Sequence, residues 1–317
     1  MPNTSEIREQ VASEEYRQQR LAVPAFAGGF LYLLSAIVLS QTFNGAPAVG
    51  LLQGLGPALS GVANPAVSPR TAEVKFVSHH AFALIAGATL AAIAVGALLL
   101  VLALLLDATR FRRPETWRYA RPLALAGGIA WALSNIVHEI ISAIETHKFA
   151  VGHDHSIAAA NHALTGPDTN GIALIGLLAG LALAAGMIAT MINALRVGLI
   201  PRWMSFLGIF TGLFIFLPVG AELQVIPALW LVMMGIMFIG KWPKGTPPAW
   251  GAGEAVPWQT PAQQRAGGKA SGGGKTSGGR GGSPAPVAAG AGVAPAPTPP
   301  SGASSSRKRR RKRGGRG

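Results

Sequence analysis

The stretch from Ala81 to Leu106 constrains this chain more than any other: 26 residues without a charge, in which Thr89 is the only clearly polar side chain. A helix rises about 1.5 Å per residue and roughly 20 apolar residues cross a hydrocarbon core, so the segment can span a bilayer with some tilt. In a soluble fold, a helix apolar on every side has to sit at the centre of a large domain. Hydrophobic residues make up 50% of the chain and charged residues 13%, the latter about half the share usual in soluble domains. The membrane reading therefore prevails. The absence of cysteine removes disulfides, thiolate metal sites and cysteine nucleophiles together.

Hydropathy predicts an all-α membrane protein, a six-transmembrane helix bundle with a disordered C-terminal tail. The spans fall at about 21–43, 81–106, 122–145, 171–195, 203–219 and 225–240. Residues 1–20 are polar and read as a short amphipathic segment with Thr4 or Ser5 as its cap. The first apolar run is too long for the core of a cleaved signal, so the first span is expected to act as an uncleaved anchor. Residues 44–77 are broken by Gly and Pro and read as a loop, and residues 146–170 as a polar, histidine-rich one. The fifth and sixth spans are short and read as a tight hairpin.

Basic residues set the orientation. Arg8, Arg17 and Arg20, then Arg110, Arg112, Arg113, Arg118 and Arg121, then Arg196, Arg202, Lys241 and Lys244 fall on one side, against Arg70, Lys75 and Lys148 on the other. The positive-inside rule puts both termini in the cytoplasm. Trp117, Trp203 and Trp242 fall at the predicted inner interface, where an indole keeps its N–H wet.

From residue 245 the composition shifts to Gly, Ala, Pro, Ser and Thr, which cannot bury enough surface to offset ordering entropy. Residues 245–317 thus read as a disordered cytoplasmic tail. It carries seven consecutive basic residues, Arg307, Lys308, Arg309, Arg310, Arg311, Lys312 and Arg313. A bilayer is the first partner of such a chain, and anionic headgroups attract the run by about 1 kcal/mol per residue close to the surface. Nucleic acid attracts it by the same physics, but the tether keeps lipid nearer.

Chemistry concentrates in the third span. Asn135, His138, Ser142 and Glu145 follow one another at steps of three, four and three, forming a polar stripe over its outer half with Glu139 beside it. Ionisable groups at that depth are costly to expose to lipid and are candidates for function or for interhelical hydrogen bonds. The seven histidines all map to the outer side, and His153, Asp154 and His155 form an HDH run in the loop that follows. His138, Glu139, Glu145, His153, Asp154 and His155 offer nitrogen and oxygen ligands suited to a divalent transition metal, with Asn135 and Ser142 as ligand-binding neighbours. The spacing matches no zinc signature, since His147 lies nine residues beyond His138 rather than four. A haem between His80 and His138 is disfavoured, because their predicted heights differ by about 15 Å. Walker, nucleophile-elbow and dinucleotide patterns are absent, and the middle parts of the other spans carry no charge for a proton relay.

Small residues are spaced for close helix contact at Gly176 and Gly180, at Gly208 and Gly212, and at Ala83, Gly87 and Ala91. They predict packing within the chain rather than a dimer face. The stretch GLIPRWMSFLGIFTGL, residues 198–213, resembles uncharacterised multi-pass integral membrane proteins of high-GC bacteria. That resemblance implies a bacterial cell membrane and carries no activity. Three functions follow from the residues: binding or sensing of a divalent metal or small polar ligand at the outer His/Glu site, a membrane anchor whose basic tail recruits lipid or a partner, and an intramembrane enzyme using His138 and Glu139 as acid and base. The first accounts for most of the pattern.

Overall fold

The computed structural model describes residues 3–47, 49–50, 59, 61, 67–216, 224–243 and 245–258. They form helices α1 (Thr4–Phe43), α2 (Thr71–Arg112), α3 (Ala120–Val151), α4 (Ile157–Thr165), α5 (Pro167–Val197), α6 (Arg202–Phe216), α7 (Val225–Phe238) and α8 (Pro248–Ala252). No strand occurs among the described residues. Four helical stretches are long and apolar enough to cross a membrane: α1, α2, α3 and Ile157–Val197, which takes in α4 and α5. The chain is thus a helical membrane protein. Helices α6 and α7 are apolar but have 15 and 14 residues, about 22 Å each against the roughly 30 Å of a hydrocarbon core.

Outward faces agree with a lipid surrounding. Val23, Phe30 and Ile37 of α1 are 73%, 65% and 58% exposed, and their seven-residue spacing places them on one face. The opposite face of α1 buries Ala22, Ala25, Tyr32, Ser35 and Ala36. In α3, Ile129, Leu133, Val137, Ile140 and Ile144 form a second exposed apolar stripe. Water would penalise contiguous surfaces of this kind, whereas lipid tails accept them.

Apolar length marks only the hydrocarbon part of a helix, so several predicted boundaries move outward. The expected surface segment and first span are one 40-residue helix, capped not by Thr4 or Ser5 but by Asn3. The Asn3 side chain accepts from the Glu6 N–H at 2.9 Å and the Glu6 carboxylate accepts from the Asn3 N–H at 2.9 Å, a reciprocal capping box. The predicted loop over 44–77 is helical from Thr71 onward. Within the predicted loop over 146–170, α3 continues to Val151, α4 follows and α5 begins at Pro167. Ser156 caps α4 by accepting from Ala159 N–H at 3.2 Å, and Pro167 sits where its missing N–H costs no bond. Polar residues lower hydropathy without lowering helicity once such caps are present.

The long helices pack in chain order. Helix α1 lies on α2, α2 on α3, α3 on α5, α5 on α6 and α6 on α7, while α7 returns onto α1 and α2 also touches α5. Helix α2 is enclosed on most sides, burying Leu98, Leu99, Val101, Leu102, Leu104 and Leu105. Glycine permits the tightest seam: a Cβ on Gly127 would lie 2.6 Å from Leu183 N, and one on Gly186 2.5 Å from Ala124 N. The predicted small-residue motifs also pack within the chain, Gly176 against Ser134, Gly180 against Trp131, Gly208 against Met191 and Gly87 against Leu39.

Two ends of the bundle follow from contacts distant in sequence. Asp107 at the end of α2 meets Arg17 at 3.0 Å and Arg121 at 3.1 Å, joining α1, α2 and α3 at what we term the basic end. At the opposite, histidine end, the Ser68 N–H donates to the His155 carbonyl at 2.8 Å, and Val74, Phe149, Ala160 and Ala163 form a small core of their own. Successive long helices therefore alternate in direction.

Residues 245–258, predicted to be part of a disordered tail, instead form a strap over the basic end. Trp250 Nε1 donates to Leu199 O at 2.8 Å, Trp258 Nε1 donates to Ile200 O at 2.8 Å, and Val256 N donates to Val197 O at 3.0 Å. Two indoles and a valine supply the anchoring that the surrounding Gly/Pro composition lacks. Residues 259–317, including the basic run Arg307–Arg313, lie outside the described residues.

Candidate functional site

The polar stripe of α3 lies half-buried beside its lipid-facing stripe. Asn135 spends its amide on its own helix, Nδ2 donating to Trp131 O at 2.7 Å. His138 keeps a buried Nδ1 with no hydrogen-bond partner. Glu139 is half-buried next to it. Near the C-terminal end of the stripe, the Ser142 carbonyl accepts from the Thr146 hydroxyl at 2.7 Å, and Glu145 pairs with Lys148 at 2.7 Å. The side chains of Glu145 and Lys148 are 20% and 65% exposed, so the carboxylate is held down by the protein while the ammonium stays in water.

Glu145 also opens onto a cleft. Ile141, Ile144 and Glu145 of α3 face Pro167, Asp168, Gly171, Ile172 and Ile175 of α5 across a space of about 440 Å³, within the range of small-molecule sites. Asp168 lies in the first turn of α5, where the helix dipole favours its negative charge. The fold thus brings two carboxylates from separate helices to an apolar-walled recess. His138 is not among the residues that line it.

The HDH run has a different environment. His153 and Asp154 are exposed. The Asp154 carboxylate accepts from Ser156 N–H at 2.9 Å, and the Ser156 backbone and hydroxyl hold its pKa below the ordinary carboxylate value. His155 turns inward, its ring edge-on to Phe149 with centroids 5.0 Å apart and its Nδ1 buried without a partner. Nearer the start of α2, His79 Nδ1 lies 2.7 Å from Lys75 O and His80 Nδ1 lies 2.9 Å from Phe76 O. A carbonyl only accepts, so both Nδ1 atoms carry a proton.

The six predicted metal ligands His138, Glu139, Glu145, His153, Asp154 and His155 do not converge. Among the described residues, no three His, Asp or Glu side chains form a group that could hold a metal ion. The physical reason is directional. Glu145 turns to Lys148 and the α5 cleft, Asp154 turns to the α4 cap, and His155 packs on Phe149. No known protein family, curated protein or solved structure matches this chain.

Sequence reasoning missed two features. Asp168 was hidden in a segment read as loop, although its place one residue after Pro167 is a helix-start signal. A buried ion pair at the basic end joins Glu14 and Arg112, 98 positions apart. Arg112 donates to the two Glu14 oxygens at 2.9 and 2.7 Å and to Ala249 O at 3.0 Å, and both side chains are fully buried. No local pattern announces a pair so distant in the chain.

Proposed function

We propose that the chain is a six-span protein of a bacterial cell membrane that binds or senses a small cationic solute at its outer face. The observation that carries this reading is that Glu145 and Asp168 both line the isoleucine-walled cleft between α3 and α5, where a cationic solute competes with Lys148 for Glu145. Glu145, largely withdrawn from water, attracts a cation more strongly than a free carboxylate because the local dielectric is lower, and the exposed Asp168 adds a second negative charge at the rim. An organic cation whose methylenes lie on Ile141, Ile144, Ile172 and Ile175 gains apolar burial as well. A transition metal asks instead for three or more converging donors. The positive-inside count supports the orientation, with the histidine end outside and both termini in the cytoplasm.

Calorimetric titration of the purified protein with putrescine, and separately with Mn²⁺, tests the site. Saturable putrescine binding that weakens at least about tenfold in Glu145→Gln and in Asp168→Asn is expected, from the worth of one charge-assisted hydrogen bond. Binding of Mn²⁺ that depends on His138 and His153, with putrescine inert, replaces the organic cation by a metal. Inertness to both removes the reading.

A second role is favoured by the strap. Trp258 is tied to Ile200, and Arg202 Nη2 donates to Trp258 O at 3.1 Å, so the last described residue is held at the basic end. A basic run tethered there lies within reach of anionic headgroups. Vesicle co-sedimentation with and without phosphatidylserine, comparing the full chain with one ending at residue 258, reads this contribution; equal partition of the two chains argues against it.

A further inference from the structure

A second recess, independent of the outer cleft, lies at the basic end. It measures about 550 Å³ and is formed by Val11, Glu15, Gln18 and Gln19 of α1, the α7 end at Met237–Gly240, and Thr246, Trp250 and Gly251 of the strap. Gln18 lines it while only 7% exposed. Among the described residues, no hydrogen-bond partner is found for the Gln18 amide, even though Gln10 and Glu14 on the same helix are bonded to each other at 2.9 Å. The amide opens into the recess, where a bound molecule can supply its hydrogen bonds.

We infer that this recess is a binding site for a primary amine carrying an apolar arm. Glu15 is its one charged lining residue and forms no ion pair among the described residues. An ammonium at Glu15 donates to the carboxylate and to the Gln18 carbonyl oxygen, while the arm lies against Val11, Met237 and Phe238. The neighbouring arginines do not compete, because Arg112 is committed to Glu14 and Ala249, and Arg17 to Asp107. An anion is disfavoured by Glu15, and a quaternary ammonium has no N–H to satisfy Gln18. The same chemistry is available from a free arylalkylamine and from the ethanolamine headgroup of a lipid.

The test uses the full chain in detergent and phenethylamine as probe, with phenylacetate as the isosteric anion, read by ligand-observed NMR and by thermal unfolding. Saturable phenethylamine binding, absent for phenylacetate and weakened at least about fivefold in both Glu15→Gln and Gln18→Met, is expected. Gln18→Met keeps the side-chain volume, and an unchanged unliganded melting temperature shows that it folds. Competition of phenethylamine by phosphatidylethanolamine but not phosphatidylcholine in nanodiscs identifies the source as lipid; no competition by either identifies a soluble amine. Absence of saturable binding, equal binding of the anion, or binding unaffected by both substitutions overturns the inference. Variants at Glu145 and Asp168 leave this binding unchanged, which separates it from the outer cleft.

Discussion

The two ends of the bundle solve the same problem in opposite ways. At the basic end, ionic groups are matched: Glu14 with Arg112, Asp107 with Arg17 and Arg121, and a strap whose indoles cap the free carbonyls of Leu199 and Ile200. Toward the histidine end, two imidazole nitrogens, on His138 within α3 and on His155 beyond it, are buried without a partner. Matched charges hold the basic end together around its recess, whereas the histidine end is joined by a small apolar core.

The most severe way to break this contrast is to orphan a buried charge. Arg112→Ala leaves the buried Glu14 without its ion-pair partner, with only the Gln10 amide still donating to it, and is expected to cost about 3–5 kcal/mol, whereas joint replacement of Glu14 and Arg112 by leucine and methionine recovers most of the loss. Denaturant unfolding in micelles reads both, and a neutral single variant would mean that the basic end is not a clamp. Next comes the strap: Gly198 has φ +81° and faces Val256 O, so Gly198→Ala is expected to cost about 1–3 kcal/mol through strain and displacement. Faster proteolysis after residue 245 would report it. At the histidine end, the half-exposed Arg70–Glu73 pair, 2.9 Å apart, is expected to give less than about 1 kcal/mol in Glu73→Gln, since solvent screens it. A loss comparable with that of Arg112→Ala would erase the contrast.

The smallest effect is pH-dependent. The Asp154 carboxyl is held below its ordinary value by Ser156, so its contribution is complete above the ordinary carboxylate pKa and disappears as pH falls through the lowered one. Hydrogen exchange at Ser156 and the first turn of α4 is therefore expected to accelerate only in acid beyond its intrinsic rate, and Asp154→Asn to remove that dependence. Acceleration near neutrality would assign the region to the histidines instead.

Much of the architecture was legible because lipid acts on sequence directly. Ala81 to Leu106 sits inside α2, and the GxxxG spacings mark real seams, since both follow from side-chain size and hydropathy alone. Helix extensions were not legible where polar residues continue a helix into water: Glu6 to Gln19 and Thr71 to His80 lower hydropathy while caps and tertiary contacts keep them helical. Within the site, Glu145 stood out by depth and Asp168 did not, because its importance arises from α5 folding back onto α3. Gln18 carried no signal, as a glutamine in a polar helix is ordinary until its neighbours enclose it.

The strap has a consequence for the order in which the protein is made. Glu14 and Arg112 leave the ribosome early, but the carbonyl of Ala249 and the indole of Trp250, which finish the desolvation of that pair, are among the last parts of the bundle to be synthesised. A nascent chain that has formed every long helix still has an open basic end, and maturation becomes a late, local docking step.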